Sequence, residues 1–328
     1  MEKGSSKVLY YVVIAIVVVA AIFFIYQGRK EEVLQIGVIQ IAEHPALDSA
    51  RDGFIEALAD GGYIEGENVE YDLQNAQGDM STANTISQKM DAENPDLVLS
   101  IATPACQAAA NNIEDTPILI TAITDPVDAG VVDSMESPGG NVTGTTDMTP
   151  IGKQLDLLKE IVPDAETVGV IYNAGESNSQ VQMEITEQEA KRVELEVVEA
   201  TADNTSGVME AARSLSDEVD AFYVFTDNTA VSALSSVVMV AEENDIPLIV
   251  GEPDSVENGG LATEGLSYYE LGYQTGEMAL DILENDADPA EMPIQSQKET
   301  KLVINEEAAE NMGVDIPEDV LDRADEVY

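Results

Sequence analysis

Leu34–Leu58 reads LQIGVIQIAEHPALDSARDGFIEAL, and its two halves follow different periods. Leu34–Gln40 is a short apolar run suited to a buried strand, whereas Leu47, Ala50, Phe54 and Leu58 recur at helical spacing. A strand therefore feeds a helix, and the alternation continues downstream. NVEYDLQNA precedes a helix through Ile86 and Met90, DLVLSIAT precedes a helix from Pro104, and PILITAIT is followed by the short VTGTTD. Such an order implies parallel strands joined by right-handed crossovers.

From Ile151 the pattern restarts. A helix carrying Leu155, Leu158 and Val162 leads into TVGVIYNA, a long helix to about Val193, LEVVEATA, a further helix, AFYVFTDN, another helix, and PLIVGE. The expectation is an α/β chain of two doubly wound parallel-sheet lobes, 33–148 and 149–267. Tyr268–Leu283 places Leu271, Thr275, Met278 and Ile282 on one helix face, and a crossing helix at about 268–290 is expected to return to the first lobe. The segment 297–328, with KLVIN and a polar helical tail, is assigned to the second lobe.

In doubly wound sheets ligands bind beyond the carboxyl ends of the strands. Those ends read Gln40–His44, Ala102–Pro104, Ala122–Pro126, Asn173–Asn178 and Thr226–Thr229, two rims of small polar groups expected to face one cleft.

Val8–Tyr26, VLYYVVIAIVVVAAIFFIY, carries no charge and would span about 28 Å as a helix, enough to cross a bilayer. It ends in bulky residues and lacks a small-residue cleavage site, so residues 1–32 are read as an uncleaved single-pass anchor. Lys3 and Lys7 nearly balance Arg29 and Lys30, leaving orientation open on charge alone. The remainder is placed outside the cell membrane on functional grounds. Cys106 is the sole cysteine, which excludes an intramolecular disulfide and a multi-cysteine zinc site. With 64 acidic against 14 basic residues the net charge is -50, so nucleic acid is not an expected partner.

Several stretches together, in order, carry a family resemblance: IGVIQIAEHPALDSARDGFIEAL, NPDLVLSIATPACQA, PILITAITDPVDAGVV, NVTGTTD, IYNAGESNS, VFTDNT and YYELGYQTGEMALDIL. The chain over 33–328 resembles the ABC-transporter solute-binding proteins whose better-known members bind tryptophan or tyrosine. The resemblance implies a clamshell of the type I periplasmic-binding-protein kind that closes over one small amino-acid-like ligand. It further implies delivery to a membrane permease driven by a cytoplasmic ATPase, with no cofactor. The chain departs from the usual pattern in its N-terminal anchor and in having no tryptophan, so stacking on a ligand would use tyrosine or phenylalanine.

An amino acid needs clustered donors for its carboxylate and an anion for its ammonium. Glu176, Ser177 and Asn178 lie between a strand and a helix, where hydroxyl, amide and helix N–H groups either meet a carboxylate or cap the helix. Asp227 ends an apolar strand and either receives the ammonium or caps a helix, with Asn228 sharing the work. Thr103 and Asp125 precede prolines and, with Thr124, either present side chains from fixed turns or start helices. Gln40 and His44, the latter the only histidine, belong to the first strand-end loop. Thr145 either touches ligand or binds the hinge, and Tyr268 either walls the ligand or packs at a helix start.

Neither GxSxG, HExxH nor a Walker loop occurs, and GGNVTG lacks GxGxxG spacing, so nucleophilic, zinc and nucleotide chemistries lack their usual parts. The abundance of acids leaves a carboxylate-dependent enzyme open. A ligand-sensing extracellular domain is the other alternative. With seven residues before the apolar segment and an end at Tyr328, no output module is expected in this polypeptide.

Overall fold

The computed structural model describes residues 33–328. The anchor expected over Val8–Tyr26 lies outside the described residues, among which no helix is long and apolar enough to cross a membrane.

Two sheets organise the chain. In the first, β1 (Leu34–Gln40), β2 (Val69–Asn75), β3 (Leu97–Ile101), β4 (Ile118–Ile123), β5 (Val142–Thr146) and β11 (Gln295–Ser296) run in the order β11-β5-β4-β3-β1-β2, with every neighbouring pair parallel. The second contains β6 (Thr167–Tyr172), β7 (Glu196–Thr201), β8 (Ala221–Val224), β9 (Leu248–Val250), β10 (Ala262–Gly265), β12 (Lys301–Ile304) and β13 (Glu326–Val327), ordered β13-β12-β10-β9-β8-β6-β7. The expected parallel sheet is a mixed one here, because β12 pairs antiparallel to β10. The chain re-enters this lobe from the first one and so meets the sheet edge from the opposite end.

Sequence decides which strands lie inside. LVLSI of β3, ILITAI of β4 and AFYV of β8 are buried throughout, as strands covered on both faces must be. VEYDLQN of β2 and EVVEAT of β7 mix charge with apolar residues, and they form the solvent-facing edges. Each lobe has its own hydrophobic core, one around Ile36, Phe54 and Leu99, the other around Leu158, Phe222 and Val240.

The chain passes between the lobes three times, after β5, after β10 and between β11 and β12. After the second pass the long helix Tyr268–Asn285 packs on Pro45–Asp60 of the first lobe. Only glycine fits at that contact: a Cβ at Gly272 would stand 1.8 Å from the Ala50 carbonyl oxygen. Thr275 of the same helix meets Thr145 Oγ1 at 2.8 Å, and Thr145 donates to Thr121 at 3.0 Å, fixing the helix on the first sheet. Beyond the first pass, Thr149 and Gln154 donate to the Gly251 carbonyl at 3.1 and 2.9 Å, anchoring the crossing to the second lobe. The carboxyl ends of both sheets consequently face each other.

Candidate functional site

The strand order reverses direction of growth at β1/β3 in one sheet and at β6/β8 in the other. Beyond these points the lobes close on a small cavity. Its wall comes from nearly every strand end: His44 after β1, Ala122 and Thr124 at β4, Asp147 after β5, Asn178 after β6, Thr226–Asn228 after β8, Glu252 after β9 and Tyr268 after β10. Leu47 and Val231 supply apolar surface. At Ala122 the register of β4 against β5 shifts and φ reaches +54°, the local irregularity by which strands re-aim side chains at sites.

The lobes are closed on this cavity. Gln107 of the first lobe donates to Ser177 Oγ of the second at 3.4 Å, and Ser49 donates to Asp254 at 2.8 Å. His44 pairs with Asn228 across the same gap. A wider groove outside the cavity, lined by Glu43, Asn75, Met80, Asn204 and Thr229 among others, shares Asn228 with it.

The electrostatics are one-sided. Asp147, Asp227 and Glu252 are all buried on this wall, and among the described residues no lysine or arginine lines it. Burial raises Asp147 to about 6, against the opposing effects of the Tyr268 hydrogen bond and the nearby Thr124 hydroxyl. Its Oδ2 accepts from the Tyr268 hydroxyl, while Oδ1 has no partner. Burial, then the nearby charge of Glu176, pushes Asp227 up as well, and Ser179, Asn173 and Ala230 hold it back. Asp227 Oδ1 accepts from Ala230 N–H at 2.6 Å, and its Oδ2 accepts from Asn173 N–H at 2.7 Å and Ser179 Oγ at 2.6 Å. Glu252 is raised by burial and by Asp254, and it caps the helix Pro253–Glu257 through Ser255. Desolvation lowers His44 to about 4, so the imidazole is neutral at pH 7.

Of the residues singled out from sequence, His44, Thr124, Asn178, Asp227, Asn228 and Tyr268 line the cavity together. Six others stand outside its wall. Gln40 donates to the Ala42 carbonyl at 2.7 Å and to Asp48 at 2.9 Å. Thr103 is buried at the start of the helix Thr103–Asn112, whose first turn holds Pro104. Asp125 starts no helix; it accepts from Val127 and Asp128 N–H at 3.0 and 2.9 Å in a turn. Thr145 lies under the crossing helix, and Ser177 faces Gln107. Glu176 forms the layer behind the wall, accepting from Asn228 Nδ2 at 2.6 Å and Thr229 Oγ1 at 2.8 Å.

Asp147, Glu252 and Ser179 were not singled out from sequence. Asp147 sits in NVTGTTD, and its aspartate at a lobe crossing was a usable signal. For Glu252 and Ser179, one acid or serine among many, the sequence carried none.

The family model for ABC transporter substrate binding protein matches residues 35–328. A "Tyrosine-binding protein" from Clostridioides difficile is 46% identical over 272 residues, covering 83% of this chain and 79% of the relative. A Streptococcus pneumonia structure, an ABC domain in complex with L-Trp, is 36% identical with a TM-score of 0.86, over 90% of this chain and 99% of the other. The ligand-free, open structure of a substrate binding protein with adhesive properties from Clostridium difficile is 42% identical, over 90% and 99%, yet has a TM-score of 0.68. The more identical relative superposes less well.

Proposed function

The chain belongs to the family of ABC transporter substrate binding proteins, and on that premise we propose that its closed cavity captures an aromatic amino acid outside the cell for a membrane permease coupled to a cytoplasmic ATPase. Asp147 Oδ1, buried and without a partner, is the observation that carries this reading. A buried carboxylate is stabilised when a cation meets it, and the ammonium of an amino acid is such a cation. The ligand carboxylate then faces the amino end of the helix Ser177–Arg192, whose first turn no side chain caps. Leu47, Ala122, Val231 and the ring of Tyr268 provide surface for an aromatic side chain. The relatives that carry tyrosine and tryptophan in their descriptions support the aromatic assignment.

The apolar segment Val8–Tyr26 serves as the tether in this reading, holding the lobes beside the permease. Capture involves no bond making or breaking, and ligand recovered after incubation should be chemically unchanged. Isothermal titration against the amino acids tests the assignment: a saturable one-to-one signal is expected for tyrosine, tryptophan or phenylalanine. Silence with all three, or a preference for acidic amino acids, would sink it.

A further inference from the structure

Resting on the amino-acid reading, we infer that this cavity recognises its ligand through the amine rather than through the carboxylate, and that it therefore also accepts primary arylalkylamines, which have no carboxylate at all.

The basis is a census of hydrogen-bonding capacity on the wall. Three buried acceptors there lack a partner: Asp147 Oδ1, Asn178 Oδ1 and His44 Nδ1. The identity of the last as an acceptor follows from its neighbours. Asn228 directs Nδ2 to Glu176, and its contact with His44 favours the protonated ring, so the atom it turns to His44 is the carbonyl Oδ1. The imidazole donates to it through Nε2, and a neutral ring then leaves a lone pair on Nδ1. The amide of Asn178 is oriented likewise, with Nδ2 directed at the Thr226 carbonyl at 3.3 Å, Ser179 Oγ at 3.2 Å and Glu176 at 3.4 Å.

Most side-chain donors on the same wall are already engaged. The Tyr268 hydroxyl goes to Asp147, Thr226 Oγ1 donates to Gln182 at 2.9 Å, and Asn228 Nδ2 donates to Glu176, which leaves Thr124 as the one hydroxyl of the wall without a bonded acceptor. A ligand thus meets one carboxylate oxygen and two lone pairs that want N–H donors, matching the three hydrogens of a primary ammonium. For its carboxylate it finds backbone dipoles and the Thr124 hydroxyl, with no cation among the lining residues. Deleting the amine leaves a buried charge and two acceptors unpaired, whereas deleting the carboxylate leaves only neutral donors.

Titration calorimetry of the full chain with tyrosine, tyramine and 3-(4-hydroxyphenyl)propanoate, and with the matching tryptophan series, separates the possibilities. Tyramine is expected within about tenfold of tyrosine, the size of one or two ordinary hydrogen bonds. The amine-free acid is expected to bind at least about 30-fold more weakly, the effect of removing one partner of a buried charge pair. Tyrosine binding with tyramine silent, or with the amine-free acid bound as tightly as tyrosine, overturns the amine-first inference and leaves the amino-acid reading standing. Silence with all members of both series overturns both.

Discussion

Tyr268 donates its phenolic hydrogen to Asp147, although the two lie on different passages of the chain between the lobes, Asp147 after β5 and Tyr268 after β10. The pair ties two crossings together at the floor of the cavity. It also leaves the other carboxylate oxygen of Asp147 free to face a ligand, so that one residue couples the hinge to the binding site.

Asp147→Asn separates the two roles. The amide keeps an oxygen for Tyr268 and removes the charge. Loss of one partner of a buried charge pair should weaken amino-acid binding by about 2–5 kcal/mol, readable by calorimetry. Ligand-free stability should move the other way. The carboxyl is raised from 3.8 to about 6 by burial, so ionising it at neutral pH costs the fold about 3 kcal/mol, and the variant recovers up to that amount. Unchanged affinity together with unchanged melting temperature would remove Asp147 from the site.

The same carboxyl sets a pH dependence. In the empty cavity Asp147 titrates at about 6, and the ligand ammonium pairs with its ionised form. Binding should be flat above pH 6 until the ligand amine itself titrates, and should weaken about tenfold per pH unit below it. For ligand-free stability, a folded pKa raised above 3.8 contributes stabilisation that is full below 3.8 and lost as pH rises through about 6. His44, lowered from 6.5 to about 4, contributes stabilisation present above 6.5 and lost as pH falls through 4, with the opposite slope. Melting curves of the parent and Asp147→Asn at pH 4–7 should therefore diverge as pH rises through this range, and parallel curves would contradict the assignment.

What sequence could reveal divides along physical lines. Continuous apolar runs such as Leu97–Ile101 and Ile118–Ile123 announce central strands, and both are wholly buried. The face of Leu271, Thr275, Met278 and Ile282 predicts the packing side of the crossing helix; the first three are buried and Ile282 is half-buried. The direction of β12 was not legible, because KLVI has the same pattern read either way and only the path through the other lobe decides it. At the site, polar strand ends pointed to the right loops, yet within a loop the helical phase decides which residue faces in. Asn178 turns to the cavity while Ser177 turns to Gln107 and Ser179 to Asp227. Gln40 and Asp125 looked available in sequence and are consumed by local bonds that depend on turn geometry.

Asp227→Ala should damage folding as well as binding. Read in sequence as either an ammonium acceptor or a helix cap, Asp227 has Asn173 N–H, Ala230 N–H and Ser179 Oγ as donors in the structure. Truncation strands three donors in a buried position at about 1–3 kcal/mol for each left unpaired. Denaturant unfolding should show at least about 2 kcal/mol of destabilisation, and Asp227→Asn, which keeps an acceptor oxygen, should recover part of it. An Ala variant as stable as the parent would mean that these bonds contribute little.

Salt should stabilise this protein. With a net charge of -50 the folded chain concentrates like charges that the unfolded chain spreads apart. The ion pairs offer small relief, because Arg192–Asp156, Lys89–Asp72 and Arg323–Glu160 all join half-exposed side chains, a setting worth about 0–1 kcal/mol each. Raising ionic strength from 0.1 to 1 M shortens the screening length from about 10 to about 3 Å. The melting temperature should rise by at least about 2–4 °C, the equivalent of 1 kcal/mol for a chain of this size class. Sodium chloride has to outperform sucrose at matched osmolality, since sucrose strengthens burial without screening charge. Equal gains from the two would assign the effect to solvent exclusion and not to the acidic surface.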